Sequence, residues 1–136
     1  MSTRPPFRPM LTAGVVAALL SVALNAALYW LANTLGAWST QVVNPMGDPI
    51  DLSAVTFLSA GPPIVAAALA WVLIRWVPRG RAVFVAVSLL VLVLFLFPPT
   101  QLGAPVGMVV VLELMHLVVA VPTVGLILRA SRRTAP

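Results

Sequence analysis

Residues 71–99 read WVLIRWVPRGRAVFVAVSLLVLVLFLFPP. Arg75, Arg79 and Arg81 sit near the middle of the first half of this stretch, and apolar sequence leads away from them in both directions. The connection Pro78-Arg79-Gly80-Arg81 is too short for anything but an antiparallel helical hairpin. Beyond it, 82–97 holds a single polar residue, Ser88, before Pro98-Pro99 stops the run. About 16 residues rising 1.5 Å each cover about 24 Å, which is short for a bilayer core and predicts local thinning or arginine snorkelling. Working outward from this hairpin, apolar segments long enough to cross a membrane are predicted at about 11–35, 54–77, 82–97 and 105–128.

The charges give these spans an orientation. All eight basic residues are arginines: Arg4 and Arg8 precede the first span, Arg75, Arg79 and Arg81 separate the second from the third, and Arg129, Arg132 and Arg133 follow the fourth. Asp48 and Asp51 lie between the first and second. Under the positive-inside tendency, both termini and the arginine hairpin are cytoplasmic. The expected fold is all-α: a single transmembrane domain, an antiparallel up-down four-helix bundle in the bacterial cytoplasmic membrane. Arginine without lysine, with abundant Ala, Val, Leu and Pro, resembles the composition of a GC-rich bacterium. Tyr29, Trp30, Trp38, Phe95 and Phe97 fall toward the outer interface in this arrangement, and Trp71, Trp76 and Phe84 toward the inner one.

Composition excludes the soluble classes. Of 136 residues, 61% are hydrophobic and 8% charged, far too little charge to cover a soluble surface. A pI near 11.8 would suggest nucleic acid in a soluble protein, but these arginines are dispersed among helix ends and read as topogenic, with anionic lipid heads as a secondary partner. The absence of cysteine excludes thiol-disulfide exchange, iron-sulfur clusters and thiolate metal sites.

Local signals refine the segments. Three prolines within 1–9 disfavour a helix and predict an extended tail. Arg4, Arg8, the apolar run from Leu11 and the triplet Ser21-Val22-Ala23 also have the outline of a secretory signal, but apolar sequence continues well past Ala23, so a retained span is expected. Residues 36–53 contain Asn44-Pro45 and Gly47-Asp48-Pro49, a turn-rich loop in which Asp51 and Ser53 are both placed to N-cap the second span. Gly61-Pro62-Pro63 predicts a kink or a late start for that span, and Pro105 suits the first turn of the fourth. No internal repeat is apparent.

In lipid, small and polar residues mark the faces on which helices pack. Gly14, Ala18, Ser21, Asn25, Tyr29 and Asn33 form such a stripe along the first span, and Ser59, Pro63, Ala66 and Ala70 along the second. The third span is almost wholly aliphatic and is expected to face lipid or a partner. The fourth carries Glu113 and His116, three apart and sharing a face with Ala120 and Thr123. Ionisable groups at this depth cost several kcal/mol unless paired or hydrated, so both should point inward. Two roles are open: a proton- or cation-coupled site, or a structural knot in which Glu113 and His116 bond each other or Asn25 and Asn33. One histidine and one acid within the spans are too few for a metal, no cofactor is implied, and no phosphate loop or nucleophile elbow occurs.

Pro63 to Trp71, the hairpin through Arg79-Gly80-Arg81, Ser88 to Pro98, and above all Leu114-Met115-His116-Leu117-Val118-Val119-Ala120 resemble a family of small four-span bacterial membrane proteins known only as a domain of unknown function. The resemblance covers roughly Gly36 to Arg129. It implies a four-helix membrane fold and carries His116 over, without Glu113 and without an activity. The function expected from the sequence is non-enzymatic: an accessory or structural subunit that packs against itself or a larger membrane complex. The rival is a small transporter acting as an oligomer through Glu113 and His116.

Overall fold

The computed structural model describes residues 7–133, so the tail at 1–6, with Arg4, and residues 134–136 lie outside the described residues. The chain forms helices α1 (Phe7–Thr34), α2 (Leu52–Trp76), α3 (Gly80–Leu96) and α4 (Val106–Arg133), with a 3₁₀ turn, Pro98–Gln101, after α3. All four are long and apolar enough to cross a membrane, α3 together with its 3₁₀ turn.

Three boundaries differ from the sequence reading, each for a backbone reason. Residues 7–9 are helical, because Pro9 falls in the first turn, where its missing N–H has no intrahelical acceptor to lose. The helix α2 begins at Leu52, capped by Asp51, and runs through Pro62 and Pro63 instead of starting after them. The helix α4 continues past Leu128, so Arg129 and Arg132 lie on its last turns. Pro105 stands just before α4 and accepts the Val109 N–H at 3.1 Å. With the 3₁₀ turn added, the third apolar element counts 22 residues. At helical rises it reaches about 33 Å, longer than the stretch 82–97 alone.

The helix α1 packs against both α2 and α4, whereas α3 touches α2 and α4 and stays clear of α1. Gly14 makes the α1–α2 approach possible: a Cβ there would stand 2.6 Å from Ala67 Cβ and 2.9 Å from the Pro63 carbonyl oxygen. Further along, Asn25 of α1 meets Ser59 of α2 and Met115 of α4. Gly80 has the same role at the hairpin, where a Cβ would overlap the Leu73 carbonyl. The preceding residue, Arg79, turns the chain with φ of 58°, the left-handed region. Arg81 then donates from Nη2 to the Ser131 carbonyl, tying the start of α3 to the end of α4.

Two apolar clusters lie along the bundle. Ala67, Ala70, Phe84 and Ile127 form one, at the end where Gly14 meets Ala67. The other joins Ala32, Val55, Met108, Leu112 and Met115 to two residues of the α1–α2 loop, Trp38 and Val42. That loop is folded onto the helices: Trp38 donates from Nε1 to the Ile50 carbonyl at 3.1 Å and stacks edge-on to Tyr29 with ring centroids 4.9 Å apart. Trp38 and Phe84, read from the sequence as interfacial aromatics, are buried. In contrast, α3 buries only Gly80 and Phe84, in keeping with its aliphatic composition.

Candidate functional site

The polar stripe of α1 is where periodicity put it. Gly14, Ala18, Ser21 and Asn25 are buried, and Tyr29 and Asn33 are half-buried. Asn25 is the centre of a tie among three helices. Its Nδ2 donates to Ser59 Oγ at 2.8 Å and to the Met115 carbonyl at 3.3 Å, while the Ser59 hydroxyl donates to the Val55 carbonyl at 2.6 Å. These partners fix the amide orientation, since Met115 O only accepts and the Ser59 proton is already committed. Asn25 Oδ1 is buried with no hydrogen-bond partner, as is Ser21 Oγ one turn earlier.

Because α3 stands away from α1, a cavity of about 530 Å³ remains between α2, α3 and α4, with Asn25 at its wall. Val65 and Leu69 of α2, Val91, Leu92 and Phe95 of α3, and Val119 and Val124 of α4 make it overwhelmingly apolar. Five polar side chains line it as well: Asn25, Ser59, Ser88, His116 and Thr123. The Ser88 hydroxyl donates to the Phe84 carbonyl at 2.8 Å, and the Thr123 hydroxyl to the Val119 carbonyl at 2.6 Å. His116 Nδ1 lies 2.7 Å from the Leu112 carbonyl, and its ring sits 6.0 Å from that of Phe95. A size of several hundred Å³ and apolar walls with a few placed polar groups are the usual makings of a small-molecule pocket.

The four residues singled out from the sequence do not converge. His116 and Asn25 line the cavity, together with Ala120 and Thr123, but Glu113 and Asn33 do not. Asn33 donates to Tyr29 O of its own helix at 2.8 Å. None of the four bonds another: His116 turns back to Leu112, and Asn25 reaches Ser59 and Met115. Among the described residues, no three His, Cys, Asp or Glu side chains stand close enough to share a metal ion. Helical spacing alone could not separate Glu113 from His116, because the division depends on where α3 leaves room.

A family model for the family of unknown function DUF6069 matches residues 5–134. The chain belongs to DUF6069. No curated protein and no solved structure matches it. The DUF6069 match extends well beyond the stretch from Gly36 to Arg129 that carried the resemblance, so α1 belongs to the family's fold as well. Membership of DUF6069 brings no chemistry with it.

A second cluster occupies the end of α2. Arg75 lies with its guanidinium carbon 5.4 Å from the Trp71 ring centroid and 5.6 Å from that of Trp76, and Phe7 meets Trp71 edge-on at 5.2 Å. Cation–π contact of this kind orders the arginine in the last turn of α2. The two loop aspartates differ in role. Asp48 leaves its carboxylate exposed, whereas Asp51 accepts from Ala54 N at 2.9 Å and Ser53 Oγ at 2.7 Å. These hydrogen bonds hold the Asp51 carboxyl below its ordinary pKa, the Ala54 N–H contributing most.

Proposed function

We propose that this DUF6069 protein is a non-enzymatic, multi-pass protein of the bacterial cytoplasmic membrane that holds a lipophilic small molecule between α2, α3 and α4, as an accessory subunit of a larger membrane assembly or homo-oligomer. The observation that carries the reading is the cavity of about 530 Å³, apolar on its walls and bordered by an asparagine with a buried, unpartnered oxygen. The outward side of α3, with Leu89, Leu90, Val93 and Leu94 exposed, is available to lipid or to a neighbouring subunit without closing that cavity. Native mass spectrometry on protein released gently from its own membrane tests the proposal. A retained small mass, with or without partner subunits, supports it; a bare chain that carries neither counts against it.

The reading includes an up-down arrangement with both termini cytoplasmic. It is supported by the contact register, in which Gly14 meets Pro63 and Ala67 while the later Asn25 meets the earlier Ser59, and by the placement of every arginine on one side of the spans. A topology reporter fused after Pro136 that reads extracytoplasmic would sink it. Transport coupled through Glu113 and His116 is the weaker reading, because only His116 borders the cavity. Retention of transport by a Glu113→Gln variant would remove that mechanism.

A further inference from the structure

The polar atoms at the cavity wall have one property in common. Every donor among them is engaged: both Asn25 Nδ2 hydrogens go to Ser59 and Met115, and the hydroxyls of Ser59, Ser88 and Thr123 each go to a backbone carbonyl. His116 follows the same rule. Its Nδ1 faces the Leu112 carbonyl, which can only accept, so Nδ1 carries the proton and a neutral ring presents Nε2 as an acceptor. What the five side chains retain is acceptor capacity, and it is offered to the cavity by the half-buried His116, because Asn25 Oδ1, although unpartnered, is fully buried. A ligand acceptor in the cavity therefore finds no free hydrogen, whereas a ligand donor finds His116 Nε2.

We infer that the cavity selects lipophilic alcohols and phenols over ketones, quinones and ethers of the same shape, because the ligand must supply the hydrogen. This rests on the proposal that the cavity holds a lipophile, and adds the ligand's chemical class. His116 Nε2 is the acceptor that reads the hydroxyl, and the Val and Leu walls hold the apolar body. A bilayer lipid with a free hydroxyl, such as diacylglycerol, and a free phenol present the same chemistry.

The test is competition against a diazirine-bearing long-chain alcohol photolabel, with full-length protein in lipid nanodiscs. The competitors are para-octylphenol, its methyl ether para-octylanisole, and diacylglycerol. The phenol should displace the label at about tenfold lower concentration than the ether, as expected for one hydrogen bond to an otherwise unpartnered acceptor. A His116→Phe variant should bring that ratio close to one and should itself weaken labelling by the alcohol about tenfold. Equal displacement by phenol and ether in the unaltered protein overturns the donor rule and leaves the cavity reading standing; saturable labelling that neither can displace overturns the cavity reading itself. Stronger displacement by diacylglycerol than by the phenol supports the rule and assigns the ligand to the bilayer.

Discussion

A methyl group placed on Gly14 would stand 2.6 Å from the Ala67 methyl, closer than two carbon atoms can be brought without displacing a helix. The Pro63 carbonyl closes the other side at 2.9 Å. Gly14→Ala should therefore destabilise the α1–α2 contact by about 1–3 kcal/mol, the usual range for overpacking. Thermal unfolding in mild detergent reads this directly. Adding Ala67→Gly should recover part of the loss, and an unchanged midpoint in Gly14→Ala would show that the helices do not meet this closely.

The Asn25–Ser59 hydrogen bond should be measurable as a coupling. Interhelical hydrogen bonds in membranes are worth about 0.6 kcal/mol on average and rarely above about 2 kcal/mol, so a double-mutant cycle of Asn25→Ala and Ser59→Ala should return a value in that range. Asn25→Ala alone also removes the unpartnered Oδ1, which offsets part of the cost. A coupling indistinguishable from zero would contradict the three-helix tie.

Arg81 caps the end of α4. Its guanidinium reaches the Ser131 carbonyl in the last turn of α4, where the helix dipole also favours a cation. In Arg81→Gln, amide exchange over 128–133 should accelerate several-fold, while exchange in α1 stays unchanged. Arg81→Lys should lie between, because it keeps the charge and loses the planar fork. Equal exchange in all three proteins would remove the capping role.

Protonation of Asp51 should loosen the start of α2. Its carboxyl pKa is lowered in the folded chain by the Ala54 N–H and Ser53 hydroxyl. The stabilisation it gives is thus fully present above its unfolded pKa, and is lost as pH falls through the lower folded value. Amide exchange at 54–56, corrected for its intrinsic pH dependence, should lose protection only at acid pH. Asp51→Asn should flatten that dependence, since asparagine still caps but does not titrate there.

Much of the fold was legible because bilayer physics constrains the chain so tightly. The arginines, the proline pairs and the apolar runs marked four helices, and the spacing Gly14, Ala18, Ser21, Asn25 marked the buried face of α1 before any coordinates were needed. What escaped depends on how far apart the helices stand. Glu113 and His116 lie three apart on α4, yet only one borders the cavity, since its shape is set by α3 standing off α1. Trp38 misled for a related reason: an aromatic residue near a span end ordinarily anchors to headgroups, but here the loop folds back and hydrogen-bonds its indole to Ile50. The helical start at Pro9 was missed because proline's missing N–H matters only where an acceptor is waiting for it, and none waits in a first turn.

The loop carrying Trp38 and Val42 completes its cluster only with Met108, Leu112 and Met115, and Asn25 finds its second acceptor on that same last helix. The first two helices alone therefore leave Asn25 short of one acceptor and the Trp38 cluster open on one side until α4 packs against them. The last helix is thus the one that closes the fold.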